Sequence, residues 1–352
     1  KEIKSPIGDL ISIGGSLKNY LEVMPKHKSK FSAFVPIGNG CDNFCAYCVV
    51  PYARGREAYR PAEEIISEVS GLVKKGYKEI ILIAQNVNSY KSRIHREFKA
   101  NYNEYKIREE VGFPKLLKMV NDIKGDFWIR FATSHPKDMS DELIKVITGS
   151  EKVCRHIHLP AQSGDNEILR VMNRKYTVER YLSLIQKIKK RIATNQKTNS
   201  HEFWQPPVSI TTDIIVGFPG ETKRQFNQTA KLFREVKFDM AYIAQYSPRP
   251  GTASFKMKDD VSKNEKKRRE EELTKILRKT ALENNKKYIG KVVEVLVEGN
   301  NDLGCFGKTR TNKTVKIRIK NLELRSLIGQ FVKVKINKAN DFGMEGKLIS
   351  KK

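Results

Sequence analysis

No run of this 352-residue chain is apolar and uncharged over the roughly 20 residues that a membrane-spanning helix needs, and no signal-peptide pattern opens it. No membrane partner is expected. Acidic residues are in short supply: 40 Asp and Glu stand against 67 Lys and Arg, for a net charge of +27. That excess is beyond what solubility needs and draws polyanions, with nucleic acid the first candidate. Cysteine is scarce too. Its five copies do not make a secreted disulfide framework. Cys154 and Cys305 stand alone, as small core residues do, while Cys41, Cys45 and Cys48 cluster. This usage suits a reducing cytoplasm and a metal site. The chain opens on Lys1 rather than methionine and reads as one that has lost residues from its start.

Thirty-nine per cent hydrophobic residues is enough for packed interiors, and the length predicts two or three domains. From about residue 31, short apolar runs rich in β-branched and aromatic residues read as strands: 31–37, 79–84, 127–132, 155–160, 208–217 and 240–245. Helical patterns lie between them. Pro61 opens one, with Ile65, Val69, Leu72 and Val73 on one face and Gly76 just past its end. Another follows Thr177 and carries Tyr181, Leu182, Leu184, Ile185 and Ile188; others fit 115–123, 140–148 and 222–236. Alternating strands and helices imply a parallel sheet of βα units, and six units make a closed or partly closed barrel. The six strands are followed by GNGCDNFCAYC, QNVNSY, TSHP, AQSGD, GFPGE and YSPRPGT, all polar and turn-forming. Loops at the strands' C-terminal ends build the active sites of such barrels.

Residues 91–112 read as a long loop mixing basic residues with Phe98, Tyr102 and Tyr105, either a lid or binding element or a solvated insertion. A second insertion, 191–207, has no assigned role. Residues 262–288 are highly charged with a narrow stripe of Leu273, Ile276, Leu277 and Ala281, as in a connecting helix. The tail changes to short β-type runs, KVVEVLVEG, TVKIRI, QFVKVKI and EGKLIS, studded with Lys and Arg. A small all-β barrel is expected, of a kind that binds RNA or merely packs.

The cysteine spacing is C-x3-C-x2-C. Two thiols would suit a disulfide and four a closed zinc cage. Three leave a metal centre incompletely ligated: in a [4Fe–4S] cluster, three irons would be held and the fourth left open. Zinc with three thiolates and an outside ligand, or free buried cysteines, stay open on spacing alone.

The loop, however, follows the first strand of a βα barrel and carries Tyr47 just before its last cysteine. With GCDNFCAYCVVPYARGRE, AQNVNSY, TSHP, LPAQSGD, MNRKYT, DIIVGFPGET and YSPRPGT in this order, the chain resembles the radical S-adenosylmethionine methylthiotransferases over nearly its whole length. The resemblance implies an α/β fold: a partial (βα)6 TIM-like radical SAM barrel over 27–260, a connecting helix over 261–288 and a TRAM-like RNA-binding β-barrel over 289–352. Residues 1–26 would be a linker from an N-terminal domain. It implies a [4Fe–4S] cluster on Cys41, Cys45 and Cys48, with one open iron that binds S-adenosylmethionine. Reductive cleavage of that cofactor would give a 5′-deoxyadenosyl radical that takes hydrogen from an unactivated carbon, where a methylthio group is then installed. Cofactor contacts would come from Tyr47, Gln85, Asn86, Gln162, Ser163, the backbone at Gly217, and Arg174 on the cofactor carboxylate. The residues alone also allow Arg174 on an RNA phosphate, and Gln85 and Gln162 as strand-end structural groups. His135, His156 and His158 read as structural.

VVPYARGRE and QNVNSY look most like the branch that modifies C2 of N6-isopentenyladenosine beside the tRNA anticodon. Other branches act on threonylcarbamoyl-adenosine in tRNA or on a ribosomal-protein aspartate. Outside the family, an RNA-binding module with a structural metal, or an RNA methylase using one cluster, would share the basic charge. The expected partners are the tRNA anticodon stem-loop and an electron donor, for a cytoplasmic monomer. The family's N-terminal domain, with three further cysteines and a second [4Fe–4S] cluster for sulfur insertion, is not recognisable in this sequence. The expected outcome is that this chain cleaves S-adenosylmethionine without completing methylthiolation. Nucleoside mass spectrometry of isopentenylated tRNA checks it, and a methylthiolated product from this chain alone would refute it.

Overall fold

A computed structural model of the chain describes residues 26–100, 103–198, 208–301, 304–318 and 326–351. β1 (Ser32–Pro36) leads into β2 (Gly38–Asn39), α1 (Val50–Arg54), β3 (Ala58–Tyr59) and α2 (Ala62–Lys74). β4 (Glu79–Ile83) is followed by β5 (Lys91–Ala100), β6 (Asn103–Gly112) and α3 (Phe113–Asn121). Next come β7 (Trp128–Phe131), α4 (Asp141–Gly149), β8 (His156–His158), α5 (Asn166–Val171) and α6 (Val178–Thr198). β9 (Ser209–Val216), α7 (Lys223–Val236), β10 (Met240–Gln245) and α8 (Lys263–Lys286) follow. The tail holds β11 (Val292–Asn301), β12 (Gly304–Thr309), β13 (Thr314–Arg318), β14 (Phe331–Ala339) and β15 (Met344–Lys351).

The α/β expectation holds. Parallel sheets β1-β4-β7 and β10-β9-β8 form two halves, joined by an isolated parallel bridge between Ile129 and Val153. Among the described residues β1 and β10 do not pair, so the barrel is partial. Strand alternation sorts its two faces. Ala33, Val35, Ile80, Leu82, Ile157 and Ile214 are fully buried under the helices. The opposite face carries Ser32, Glu79, Arg130, His156, His158, Thr211 and Asp213, which bond to one another across the lumen.

The tail is a closed five-stranded barrel, β11-β12-β13-β15-β14. It docks on the first barrel through Trp128, Cys154, Leu296 and Phe331, with the Trp128 and Phe331 rings 4.8 Å apart. Arg130 spans the seam: Nε meets Glu79 at 2.6 Å and Nη2 donates to the Thr309 carbonyl at 2.9 Å. Lys313 and Asp239 form a second, part-buried pair at 2.5 Å.

Several expectations change. Residues 91–112 are not an open loop but a two-stranded ribbon, paired from Lys91↔Gly112 to Ala100↔Asn103. The pairing pattern is backbone to backbone along the whole ribbon, with Ser92 opposite Val111 near its base. Tyr102 lies outside the described residues. The 191–207 insertion begins as a continuation of α6, which runs to Thr198; 199–207 lie outside the described residues. Strand β12 had not been expected, because GCFGKT is glycine-rich. At Gly307 a Cβ would stand 2.0 Å from the Leu296 carbonyl oxygen, so close strand approach requires glycine there.

Arg130→Met strands the buried Glu79 carboxylate and is expected to cost about 3–5 kcal/mol. Adding Glu79→Gln should recover most of the loss. An unchanged urea midpoint for Arg130→Met would show that the pair does not hold the seam.

Candidate functional site

The chain leaves β1 and returns at β3, where Gly38 pairs with Tyr59 and Asn39 with Ala58. This short pairing pinches residues 40–57 into a loop at the barrel mouth. Gly40 is required at its base: φ is +76° and a Cβ would meet the Arg56 carbonyl at 2.1 Å. Cys41 N–H donates to the Gly55 carbonyl at 3.2 Å. Asp42 and Glu57 exchange backbone-to-carboxylate bonds at 3.4 and 3.2 Å, and Arg56 reaches Asp42 at 2.9 Å. Tyr59 hydroxyl donates to Glu57 and bonds Ser89 Oγ at 2.9 Å.

All three thiols are free. Cys48 N–H donates to the Cys45 carbonyl at 2.9 Å, which folds the C-x2-C turn back on itself, and Asn43 Nδ2 approaches Cys41 Sγ at 3.3 Å. Burial pushes the Cys41 and Cys48 thiols above their ordinary value. Tyr47 packs on Ala46, Met172 and Phe218, and burial holds its hydroxyl protonated.

The loop after α5 locks onto this cysteine loop. Ala46 N–H donates to the Met172 carbonyl and Asn173 Nδ2 to the Phe44 carbonyl at 2.8 Å. Arg174 is 8% exposed. Its Nε donates to the Tyr176 hydroxyl at 3.0 Å, Nη2 to the Pro160 carbonyl at 2.9 Å, and Nη1 lies 3.5 Å from Cys45 Sγ. No carboxylate is among its partners in the described residues. Arg174 therefore sits against the metal-candidate thiol rather than facing solvent.

The other expected contacts divide. Among the described residues Gln85 Oε1 and Asn86 Oδ1 are buried acceptors without a partner, although Asn86 Nδ2 donates to Asp138 at 2.7 Å. Gln162 adopts φ +64°, with its backbone N–H on the Asp213 carbonyl at 2.8 Å. Ser163 turns away to accept from Asp165 N–H at 3.2 Å. Gly217 has φ +67° and its N–H is engaged by Glu221 at 2.6 Å; a Cβ there would strike Lys266. Glu221 is in turn held by Arg269 at 2.7 Å, so α8 fixes the loop after β9.

Sequence reasoning missed three groups. Ser134 Oγ, at the end of β7, is another buried orphan. Thr133 beside it has φ +67°, a strained conformation for a β-branched residue. Tyr176 ties Arg174 to the Ala161 carbonyl at 2.9 Å. Of the non-glycine residues with positive φ, Phe44, Thr133, Gln162 and Asn173 all lie in loops at this mouth. The TSHP and MNRKYT motifs were the available signal, but neither said which side chain turns inward.

The geometry so far is a parallel βα barrel with three thiols in its first loop, orphan acceptors beside them, and a basic β-barrel docked below. The radical SAM superfamily profile matches residues 35–233 and the TRAM domain profile residues 286–349. A tRNA-2-methylthio-N(6)-dimethylallyladenosine synthase of Thermoanaerobacter pseudethanolicus is 45% identical over 344 residues, 97% of this chain and 67% of that protein. The protein of the same name from Clostridium novyi is 42% identical over 353 residues, 99% of this chain and 72% of that one. The solved coproporphyrinogen III oxidase of Escherichia coli, a radical SAM enzyme, overlays with TM-score 0.49 and 13% identity, over 90% of this chain and 70% of that one. The chain belongs to the radical SAM superfamily and, within it, to the family of the tRNA-2-methylthio-N(6)-dimethylallyladenosine synthases. Among the described residues no helix is long and apolar enough to cross a membrane.

Two histidines give the fold a pH dependence. Burial, with Arg174 and Lys137 nearby, pushes His135 from 6.5 to about 2, and burial with Arg130 pushes His156 to about 3. Below pH 6.5 the unfolded chain takes up protons that the folded chain refuses. Stability therefore falls on acidification, by up to about 1.4 kcal/mol per pH unit per histidine. His135→Gln should flatten urea-midpoint profiles between about pH 7 and 5 by one histidine's share; parallel profiles would contradict the assignment.

Proposed function

We propose that this chain is the radical core and RNA-binding part of a tRNA methylthiotransferase acting at C2 of N6-isopentenyladenosine beside the anticodon. The observation that carries the reading is the 45% identity to a synthase of that product along 97% of the chain, cysteine loop included. Residues 27–260 form the core, 261–288 the connecting helix and 289–352 the RNA-binding barrel. The +27 charge supplies salt-dependent attraction for tRNA, whose anticodon loop offers unstacked bases. A cytoplasmic monomer served by a separate electron donor completes the reading.

The side chains fit the group the family uses. Among the described residues no three His, Cys, Asp or Glu close up into a single-ion site. Zinc bonds of about 2.3 Å would crowd its thiolates together, whereas a [4Fe–4S] cluster takes each thiolate on a different iron. Cys41, Cys45 and Cys48 would hold that cluster. Arg174, a buried cation with only thiol, hydroxyl and carbonyl partners, lacks a counter-charge that an anionic cluster or the cofactor carboxylate would supply. The orphan acceptors of Gln85 and Asn86 suit an ammonium, and Gln162 and the backbone at Gly217 are the further contacts that the family resemblance implies. Bound there, cluster and S-adenosylmethionine supply the one-electron chemistry that removes hydrogen from an unactivated carbon, which no side chain performs. The protein's share is to position that carbon and exclude water.

Anaerobic reconstitution with iron and sulfide tests the reading. The wild-type chain should turn brown, bind isopentenylated tRNA and release 5′-deoxyadenosine. Cys41→Ala, Cys45→Ala and Cys48→Ala should each lose the bound iron, while Cys154→Ser and Cys305→Ser keep it. A colourless wild-type protein holding zinc would replace this reading with that of an RNA-binding module.

A further inference from the structure

A cleft of about 440 Å³ opens where the tail barrel meets the open side of the first barrel. None of the residues assigned above to cluster or cofactor lines it. Two large aromatic side chains do: Tyr242 from β10, 63% exposed, and Phe342 from the β14–β15 turn, 42% exposed. Each is steadied by a neighbouring side chain, Tyr242 by His158 of the cleft wall itself. Tyr242 meets His158 edge-on at 6.1 Å, and the Arg278 guanidinium lies 5.7 Å from the Phe342 ring.

The polar lining is specific. Asn285 is 2% exposed; its Nδ2 donates to the Asn340 and Asp341 carbonyls, while its Oδ1 has no partner. Lys308 donates to Thr314 Oγ1 at 2.9 Å, with the Glu298 carboxylate in its field. The two acids are neutralised, Asp239 by Lys313 at 2.5 Å and Asp341 by Arg278 at 3.4 Å. The site thus offers exposed ring faces, a buried acceptor for an amino group and a cation. That is the set that holds an unpaired nucleobase with its phosphate.

Its position relates it to the mouth. Thr133, one of the positive-φ residues of the mouth loops, lines the cleft at one end, and Thr211, farther along its wall, precedes by three residues Ile214, whose bridge to Gln162 marks the mouth. That is about 10 Å at 3.3 Å per residue, within reach of a nearby nucleotide in a splayed loop. We propose that this cleft binds a second unpaired base of the RNA substrate, close in sequence to the one that enters the mouth, stacked against Tyr242 and Phe342. The proposal rests on the RNA-substrate reading above.

The test titrates the intact protein with fluorescent isopentenylated tRNA at several salt concentrations. Tyr242→Ala and Phe342→Ala should each weaken binding about tenfold, and Tyr242→Phe should bind like wild type. Because a ring and not a phosphate contact is removed, the slope of log affinity against log salt should not change. Both side chains are exposed, so melting temperatures should stay at the wild-type value. Ultraviolet cross-linking of the wild-type complex should join RNA to peptides containing Tyr242 or Phe342. Wild-type affinity in both alanine variants, a reduced salt slope, or cross-links confined to other peptides overturns the cleft proposal alone. If wild-type protein has no affinity for tRNA, the RNA-substrate reading itself falls.

Discussion

One buried guanidinium ties the candidate site together. Arg174 comes from the loop after α5 yet reaches Cys45 in the loop after β1, the Pro160 carbonyl after β8, and Tyr176. Removing such a charge from water costs several kcal/mol unless it finds good acceptors. Here the acceptors are fixed points of two separate βα units. A shift of the cysteine loop takes Cys45 and the Phe44 carbonyl away from Arg174 and Asn173 together. A loop of small, turn-forming residues thereby acquires the stiffness that positioning thiols requires.

The same logic runs down the lumen. Barrel interiors are commonly filled by branched apolar side chains. In this one the inner row is Glu79, Arg130, His156, His158, Thr211 and Asp213, satisfied by mutual bonds. Such an interior needs a polar lid, and the tail barrel provides it with the Thr309 carbonyl and Lys313. The second barrel is therefore part of the first one's hydrogen-bond accounting: Arg130 and Asp239 each lose a partner if the two separate.

Much of this was legible in sequence because it follows periodicity. The six strands alternate, the helices carry one apolar face, and three thiols in the first loop are a local signal. What stayed hidden depends on contacts between distant segments. Nothing near Arg174 in sequence names Cys45 as its neighbour. The ribbon at 91–112 is a pairing of two segments that neither announces alone, and β12 is concealed by glycines whose reason, the Leu296 carbonyl at 2.0 Å from a hypothetical Cβ, lies on another strand. Thr133 and Gln162 owe their left-handed backbone to the pull of neighbouring chains, with Thr133 accepting from Val87 N–H and Gln162 bridging to β9.

Those strained residues and the orphan acceptors share a cause. A mouth that must hold a charged, polar cofactor in place of water cannot satisfy every group from within the protein. Gln85 Oε1, Asn86 Oδ1 and Ser134 Oγ are left open on one side of it, and on the other a cation without a carboxylate faces Cys45. Each such group would be a liability of about 1–3 kcal/mol in a finished core. Gathered at one end of one barrel, they are what the proposed cofactor would complete, with its ammonium on the orphan acceptors and its carboxylate, or the cluster, against Arg174.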